Sequence, residues 1–276
     1  MAHRSGLLKP TLFVASLLLS FLGPAQAAPI AIVNPSFEIL PTTTPPGLPL
    51  PDGTRLTARP DLCGTLNPAG FPCEGFGPGW TPAVIVTTDS VGTMNPTDAM
   101  FNTPLPDGDY TAYSNGTSFF QILTDTLQPN FIYTLSAFVG MRNLIQNDPM
   151  QDGYTENQGY YVELSVDNNG TYDGRTVLAR SSWLRLCCPG IPPSFNAPDA
   201  VSPGYGNWIQ VSFAYTPGLG APIGKNLMIG FGSPGVSANF DMVSLNADPT
   251  IPEPSTVAML AGGLGLLLFR RYRSRG

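Results

Sequence analysis

Chemistry in this chain has to come from carboxylates, tyrosines, cysteines or Lys225. The single histidine, His3, falls in a stretch that reads as a cleaved leader, so the mature chain is expected to hold no imidazole. That excludes Ser-His-Asp and Cys-His nucleophiles, His-ligated zinc and ordinary imidazole acid-base work. Two acids at a suitable separation suffice for glycoside cleavage. Here the aspartates stand singly in turns such as Pro106-Asp107-Gly108-Asp109 and Gln151-Asp152-Gly153, where local hydrogen bonding accounts for them. Glu163, flanked by Tyr161 and Ser165 on one strand face, is the least turn-like acid, and no pair stands out.

The four cysteines are Cys63, Cys73, Cys187 and Cys188, an even number that permits three pairings. A bridge between the adjacent Cys187 and Cys188 would close a strained ring. The expectation is therefore two bridges joining the Cys63 to Cys73 loop to the Cys187-Cys188 segment, in an oxidising compartment. Zinc is the rival reading, and the absence of a Cys-x-x-Cys pair and of histidine weighs against it.

Between Ala28 and Pro254 seven basic residues face nineteen acidic ones, an excess of twelve negative charges. Phosphate binding needs clustered Lys and Arg, so this acidic balance argues against nucleic acid or anionic lipid as partners of this region. Neutral ligands or divalent cations fit better.

Both ends read as addresses. Met1 to Ala27 has Arg4 and Lys9, an apolar stretch from Leu12 to Leu22, a Gly23-Pro24 break and an Ala25-Gln26-Ala27 cleavage signature. That is the layout of a secretory signal peptide. At the other end Pro252-Glu253-Pro254 precedes an apolar run from Val257 to Phe269 and the tail Arg270-Arg271-Tyr272-Arg273-Ser274-Arg275. The run makes about 20 Å of helix against about 30 Å of hydrocarbon, a marginal transmembrane anchor, and the arginines stay cytoplasmic. This terminus resembles the PEP-CTERM sorting domain, carried by Pro252, Glu253, Pro254, the Gly262-Gly263-Leu264-Gly265-Leu266 core and the arginine tail. The resemblance implies an exosortase and the secretion machinery as partners, transient anchoring in the inner membrane, and delivery to the cell surface or extracellular matrix.

The elements that must position any chemistry are short strands. Thirty glycines and thirty prolines, scattered along the chain, forbid long helices and mark many turns. Alternating or β-branched runs predict strands over Ile30 to Phe37, Ala83 to Thr88, Thr111 to Ser114, Ser118 to Leu123, Ile132 to Gly140, Tyr160 to Val166, Thr176 to Ala179, Trp208 to Tyr215, Leu227 to Gly232 and Asn239 to Leu245. In the Trp208 strand, Ile209, Val211, Phe213 and Tyr215 share one face. Pro41 to Pro78, Asn143 to Asn157 and Pro189 to Gly206 read as loops, Asp167-Asn168-Asn169-Gly170 as a turn, and Asp248 to Pro254 as a linker. The expected organisation is a signal helix over 1–27, one all-β sandwich over 28–247, and a sorting segment with its transmembrane helix over 248–276.

An opening Asn34-x-Ser36-Phe37-Glu38, an internal Gly79-Trp80, a Leu127-Gln128-Pro129-Asn130-x-x-Tyr133 segment and a closing Phe240-Asp241-x-Val243-Ser244-Leu245 resemble the galactose-binding-like jelly rolls, which include many carbohydrate-binding modules. The resemblance implies a jelly-roll β-sandwich with a structural calcium held by Glu38 and Asp241, although Met242 stands where a second aspartate is common. It also implies sugar binding on aromatic faces, with Tyr154, Tyr205 and Trp80 as the platform. On this reading the protein is a non-enzymatic carbohydrate-binding or structural component of exopolysaccharide, with a secreted carboxylate-dependent glycan hydrolase as the alternative.

Overall fold

A computed structural model describes residues 27–40, 55–58, 75–83, 90–143, 159–184, 201–235, 238–250 and 262–263. The described residues hold twelve strands: β1 (Ala28–Ile30), β2 (Arg55–Ala58), β3 (Thr81–Pro82), β4 (Ser90–Met94), β5 (Thr111–Asn115), β6 (Ser118–Thr126), β7 (Phe131–Met141), β8 (Gly159–Val166), β9 (Thr176–Leu184), β10 (Asn207–Tyr215), β11 (Asn226–Gly232) and β12 (Ala238–Pro249). They form two sheets. The larger runs β10-β7-β12-β5-β4-β2, with β1 beside the far end of β12, and the smaller runs β3-β6-β11-β8-β9. Nine of the strand pairings among the described residues are antiparallel, as suits a chain of short strands and tight turns. Residues Ala28–Ala247 make one compact unit.

The sandwich follows from period-two alternation. On β7, Tyr133, Leu135, Ala137 and Val139 point inward, and on β10 the inward face carries Ile209, Val211, Phe213 and Tyr215 as expected. From the smaller sheet Phe119, Leu123, Val162, Leu164, Ile229 and Phe231 meet them. An aromatic cluster fills the middle: Phe76 lies 4.7 Å from Phe119, Trp80 meets Phe119 edge-on at 5.5 Å, and Phe119 stacks on Phe231 at 5.4 Å. Each such ring contributes about 1.5–3 kcal/mol by leaving water.

Three expectations are corrected. The opening motif is not a strand over Ile30 to Phe37, because the chain leaves β1 after Ile30 and turns, with Asn34 at φ 51° and Phe37 at φ 62°. The Asn34 amide closes this turn, donating to the Ile39 carbonyl at 2.9 Å and accepting from the Ile39 N–H at 2.9 Å. The turn sends Phe37 into the core and Glu38 outward. Part of the segment read as a loop, Arg55–Ala58, is a strand paired with β4, a pairing too short for a periodic signal. β12 also runs on to Pro249, into the stretch read as a linker. The Asp167 turn holds, its carboxylate accepting from the N–H groups of Asn169 and Gly170.

The leader, the sorting motif Pro252, Glu253 and Pro254, and all four cysteines lie outside the described residues. Gly262 and Gly263 are helical. Among the described residues no helix is long and apolar enough to cross a membrane.

Candidate active site

The outward face of the larger sheet is covered by the segment 95–110, between β4 and β5. Met94, Tyr113 and Trp208 project from β4, β5 and β10, and Met100, Phe101 and Leu105 of the covering segment pack onto them. Trp208 lies flat over Gly140, where a Cβ would come within 2.7 Å of the indole ring, so only glycine on β7 lets the ring settle there. Phe101 packs on the same indole at 4.7 Å between ring centres. Beside this layer the segment's own residues Thr97, Asp98, Phe101, Asn102 and Leu105, with three neighbours, line a cavity of about 350 Å³ that is open to solvent, with Asp98 and Asn102 exposed at it.

The cover is clamped at both ends. At one end the Asn102 N–H donates to the Gly206 carbonyl (2.7 Å), and the Asn102 side-chain amide donates to the Tyr205 carbonyl (3.1 Å) while accepting from Asn143 (2.8 Å). Gly206, at φ 73°, is required here, since a Cβ would lie 2.4 Å from both Asn102 and Asn143. At the other end two carboxylates hold the 107–110 turn. Asp241 accepts from the Asp107 N–H (3.0 Å) and Glu38 from those of Asp109 (3.2 Å) and Tyr110 (3.0 Å). Gly108 sits against the Glu38 carboxylate at φ 56°, where a side chain would collide with it.

The structure thus brings together Glu38 and Asp241, from opposite ends of the domain. Asp241 is fully buried, and burial, reinforced by the nearby charges of Glu38 and Asp107, pushes its pKa up to about 8 despite two backbone hydrogen bonds. Burial also raises Glu38, with Asp109 and Asp107 adding to the effect against two backbone N–H donors. Two like-charged carboxylates in a partly dry site need a proton or a cation between them. Their all-oxygen donor set suits a hard divalent ion. Among the described residues, however, no group of three or more His, Cys, Asp or Glu side chains is arranged to hold a metal.

The other expected ligand residues are not brought together. Trp80 is only 6% exposed, its ring in the aromatic core and its N–H donated to the Asn34 carbonyl at 2.9 Å. It is packing, not a platform, because Gly79 at φ 91° turns it inward. Tyr205 is half-buried and engages the cover through its backbone carbonyl. Tyr154 lies outside the described residues.

The reading of the sequence missed Asn239, Met94, Phe101, Tyr113 and Trp208 as a group. Asn239 is completely buried on this face, donating to the Ala112 carbonyl (3.3 Å) and the Met94 sulfur (3.2 Å). It stands between the core residues Ala238 and Phe240, where strand alternation makes a polar residue read as solvent-facing, so it carried no separate signal. For the cover the signal was Met100-Phe101, an apolar pair stranded in a Pro, Asn and Asp segment.

Comparison with known proteins settles the class. The profile of the HpiC1-like family, described as HpiC1 cyclase, matches residues 28–246. The chain belongs to the HpiC1-like cyclase family. Among solved structures it is similar to the Stig cyclase Fisc from Fischerella sp. TAU in complex with (3Z)-3-(1-methyl-2-pyrrolidinylidene)-3H-indole, at 20% identity and a TM-score of 0.55, covering 82% of this chain and 100% of that one. It is likewise similar to an apo cyclase from Fischerella sp., at 20% identity and a TM-score of 0.55, covering 83% of this chain and 100% of that one. A third similar structure is a Fischerella sp. TAU cyclase in complex with 4-(1H-indol-3-yl)butan-2-one, at 20% identity and a TM-score of 0.51, covering 82% and 100%. No curated protein matches the chain. At this identity the structures establish the shared fold, and the family rests on the profile.

Membership of the HpiC1-like family overturns the expectation of a non-enzymatic carbohydrate-binding or matrix protein, and with it the glycan hydrolase alternative. The family is one of enzymes. The burial of Trp80 agrees with the correction, since it removes a member of the supposed sugar platform.

Proposed function

We propose that the chain is a cyclase that closes rings in an apolar, indole-bearing substrate held between the outward face of the larger sheet and the 95–110 segment. The observation that carries this reading is the family match over residues 28–246. The indole-based molecules bound by the similar Fischerella cyclases support an indole-type substrate. The aromatic and methionine lining of Phe101, Trp208, Tyr113 and Met94 supplies flat, polarisable walls suited to such a ring.

Ring closure by isomerisation leaves the composition unchanged, so a proton given to one substrate atom is recovered from another. Asp98, the titratable group lining the cavity, is the side chain we assign to that exchange. The amide network at Asn102, Asn143 and Gly206, and the Glu38 and Asp241 carboxylates at the 107–110 turn, hold the cover in place over the sheet. We assign the resemblance to galactose-binding-like jelly rolls to the sandwich as a whole. A calcium ion held by Glu38 and Asp241 would neutralise both carboxylates and fix the cover, a positioning role. Glu38 and Asp241 themselves orient the turn through its N–H groups.

Incubation of the purified protein with indoles carrying an unsaturated side chain tests the reading. The expected product has the substrate's mass and a new retention time, and Asp98→Asn slows its formation at least tenfold, a modest fraction of what acid-base groups contribute. No isomer from any such indole would overturn the assignment. We also propose export, with removal of Met1 to Ala27 and exosortase processing near Pro252-Glu253-Pro254. Intact protein in the cytosolic fraction would refute that part alone.

A further inference from the structure

Two buried polar atoms on the covered face have no partner: the side-chain oxygen of Asn239 and the indole N–H of Trp208. Both stand out against their neighbours. The Asn239 amide nitrogen donates to the Ala112 carbonyl and the Met94 sulfur, which fixes the amide's orientation, because a flip would set its oxygen against two acceptors. The unpaired atom is therefore an acceptor, on a side chain with no exposure at all. Trp208 contrasts with Trp80, whose N–H finds the Asn34 carbonyl at 2.9 Å. A buried polar atom left alone costs about 1–3 kcal/mol, and such atoms are few in native proteins.

One acceptor and one donor thus lie on an otherwise apolar face formed by Met94, Tyr113 and Phe101. We propose that Asn239 and Trp208 orient the ligand: the Asn239 carbonyl accepts the N–H of an indole-type ring, and the Trp208 N–H donates to a carbonyl on the ligand's side chain. This rests on the reading of the face as a cyclase site and adds to it which ends of the ligand are recognised. An amide oxygen and an indole N–H do not titrate near neutrality, so both residues orient the ligand and leave proton transfer to another group. Phe101 and Leu105, shared between the cavity wall and this layer, are the side chains that must shift for a ligand to reach the two atoms.

Calorimetric titration of the full chain with three probes tests the assignment: 4-(1H-indol-3-yl)butan-2-one, its ring-N-methyl analogue and 3-butylindole, which lacks the carbonyl. The parent protein is expected to prefer the first over each of the others by roughly tenfold, the worth of one buried hydrogen bond. Asn239→Leu should lose the preference against the N-methyl probe and keep that against 3-butylindole. Trp208→Phe should do the reverse. Retained binding of the unaffected pair shows that each variant is folded. Equal binding of all three by the parent, or both preferences surviving in both variants, overturns the orientation while the cyclase reading stands. Binding of none of the probes by the parent overturns both.

Discussion

The two outward faces of the sandwich carry similar aromatic and polar side chains and treat them in opposite ways. On the smaller sheet, Glu163 is completely buried yet fully engaged, paired with Arg175 and with Arg180, the guanidinium of Arg175 also donating to the Tyr172 carbonyl at 2.7 Å. Arg175 lies over the Tyr172 ring and Arg180 over the Tyr161 ring, and the two tyrosine hydroxyls bond to each other, with Tyr161 passing the chain to Ser118. On the larger sheet, Asn239 and Trp208 hold unpaired atoms, and two carboxylates of like charge crowd the end of the cover. A face that closes its own hydrogen bonds is structure, whereas a face that leaves them open awaits something from solution.

The sharpest way to break this contrast is to cut the closed network. Glu163→Gln leaves two guanidiniums without their shared anion, and we expect a loss of about 3 kcal/mol in urea unfolding, near the low end for a buried pair because Arg180 stays partly exposed. Probe binding to the folded protein should not change. An unaltered unfolding midpoint would mean that the smaller sheet's face is not structural. Next in size is Gly140→Ala, whose methyl meets the Trp208 ring at 2.7 Å. Here both stability, by about 2 kcal/mol, and binding of 4-(1H-indol-3-yl)butan-2-one should fall together, because the ring must lift off the sheet. A crystal structure of the variant with the indole unmoved would remove Trp208 from the binding face.

Much of the scaffold was legible in the sequence, because burial on one side of a strand leaves a period-two trace. The strand at Trp208 and its inward row of Ile209, Val211, Phe213 and Tyr215 are found as read. The pairing of Glu38 with Asp241 was legible only through resemblance, since 203 positions of chain separate them and no local pattern links them. Phe37 and Asn34 misled as strand residues because a left-handed turn has no hydrophobic period. The face proposed to bind the ligand was hidden for a different reason. Its members come from β4, β5, β10, β12 and a loop, and what marks them is an unmade hydrogen bond, which only the folded arrangement exposes. Class was hidden too, because aromatic side chains on a sandwich look alike whether they serve sugars, indoles or the core.

The carboxylate pair sharpens the comparison through pH. Asp241 titrates near 3.8 when unfolded and near 8 when folded, so in chelator both states are protonated below about pH 4 and its contribution is fully present. Between about pH 4 and 8 the unfolded chain ionises while the folded one resists, and stability falls as pH rises. Melting temperatures in chelator should therefore decline across this window, and Asp241→Asn should flatten the decline. Added calcium should raise the melting temperature most at the upper end, where both carboxylates are available to it. A melting temperature that climbs with pH in chelator would place Asp241 in a better-solvated or better-paired setting than the structure gives it.

The smallest expected effect is the most discriminating. Replacing a buried, hydrogen-bonded amide usually costs stability, and Asn239 does donate two bonds. One is to a thioether sulfur, a weak acceptor, and the Ala112 carbonyl also accepts from the Thr111 hydroxyl at 3.1 Å, so it is not orphaned when the amide goes. Removing the unpaired oxygen meanwhile relieves a desolvation penalty of similar size. Asn239→Leu should therefore unfold within about 1 kcal/mol of the parent, in contrast to Glu163→Gln, although both positions are equally inaccessible to water. A loss as large as that at Glu163 would show that the Asn239 amide is held by the fold itself, and the difference between the two faces would disappear.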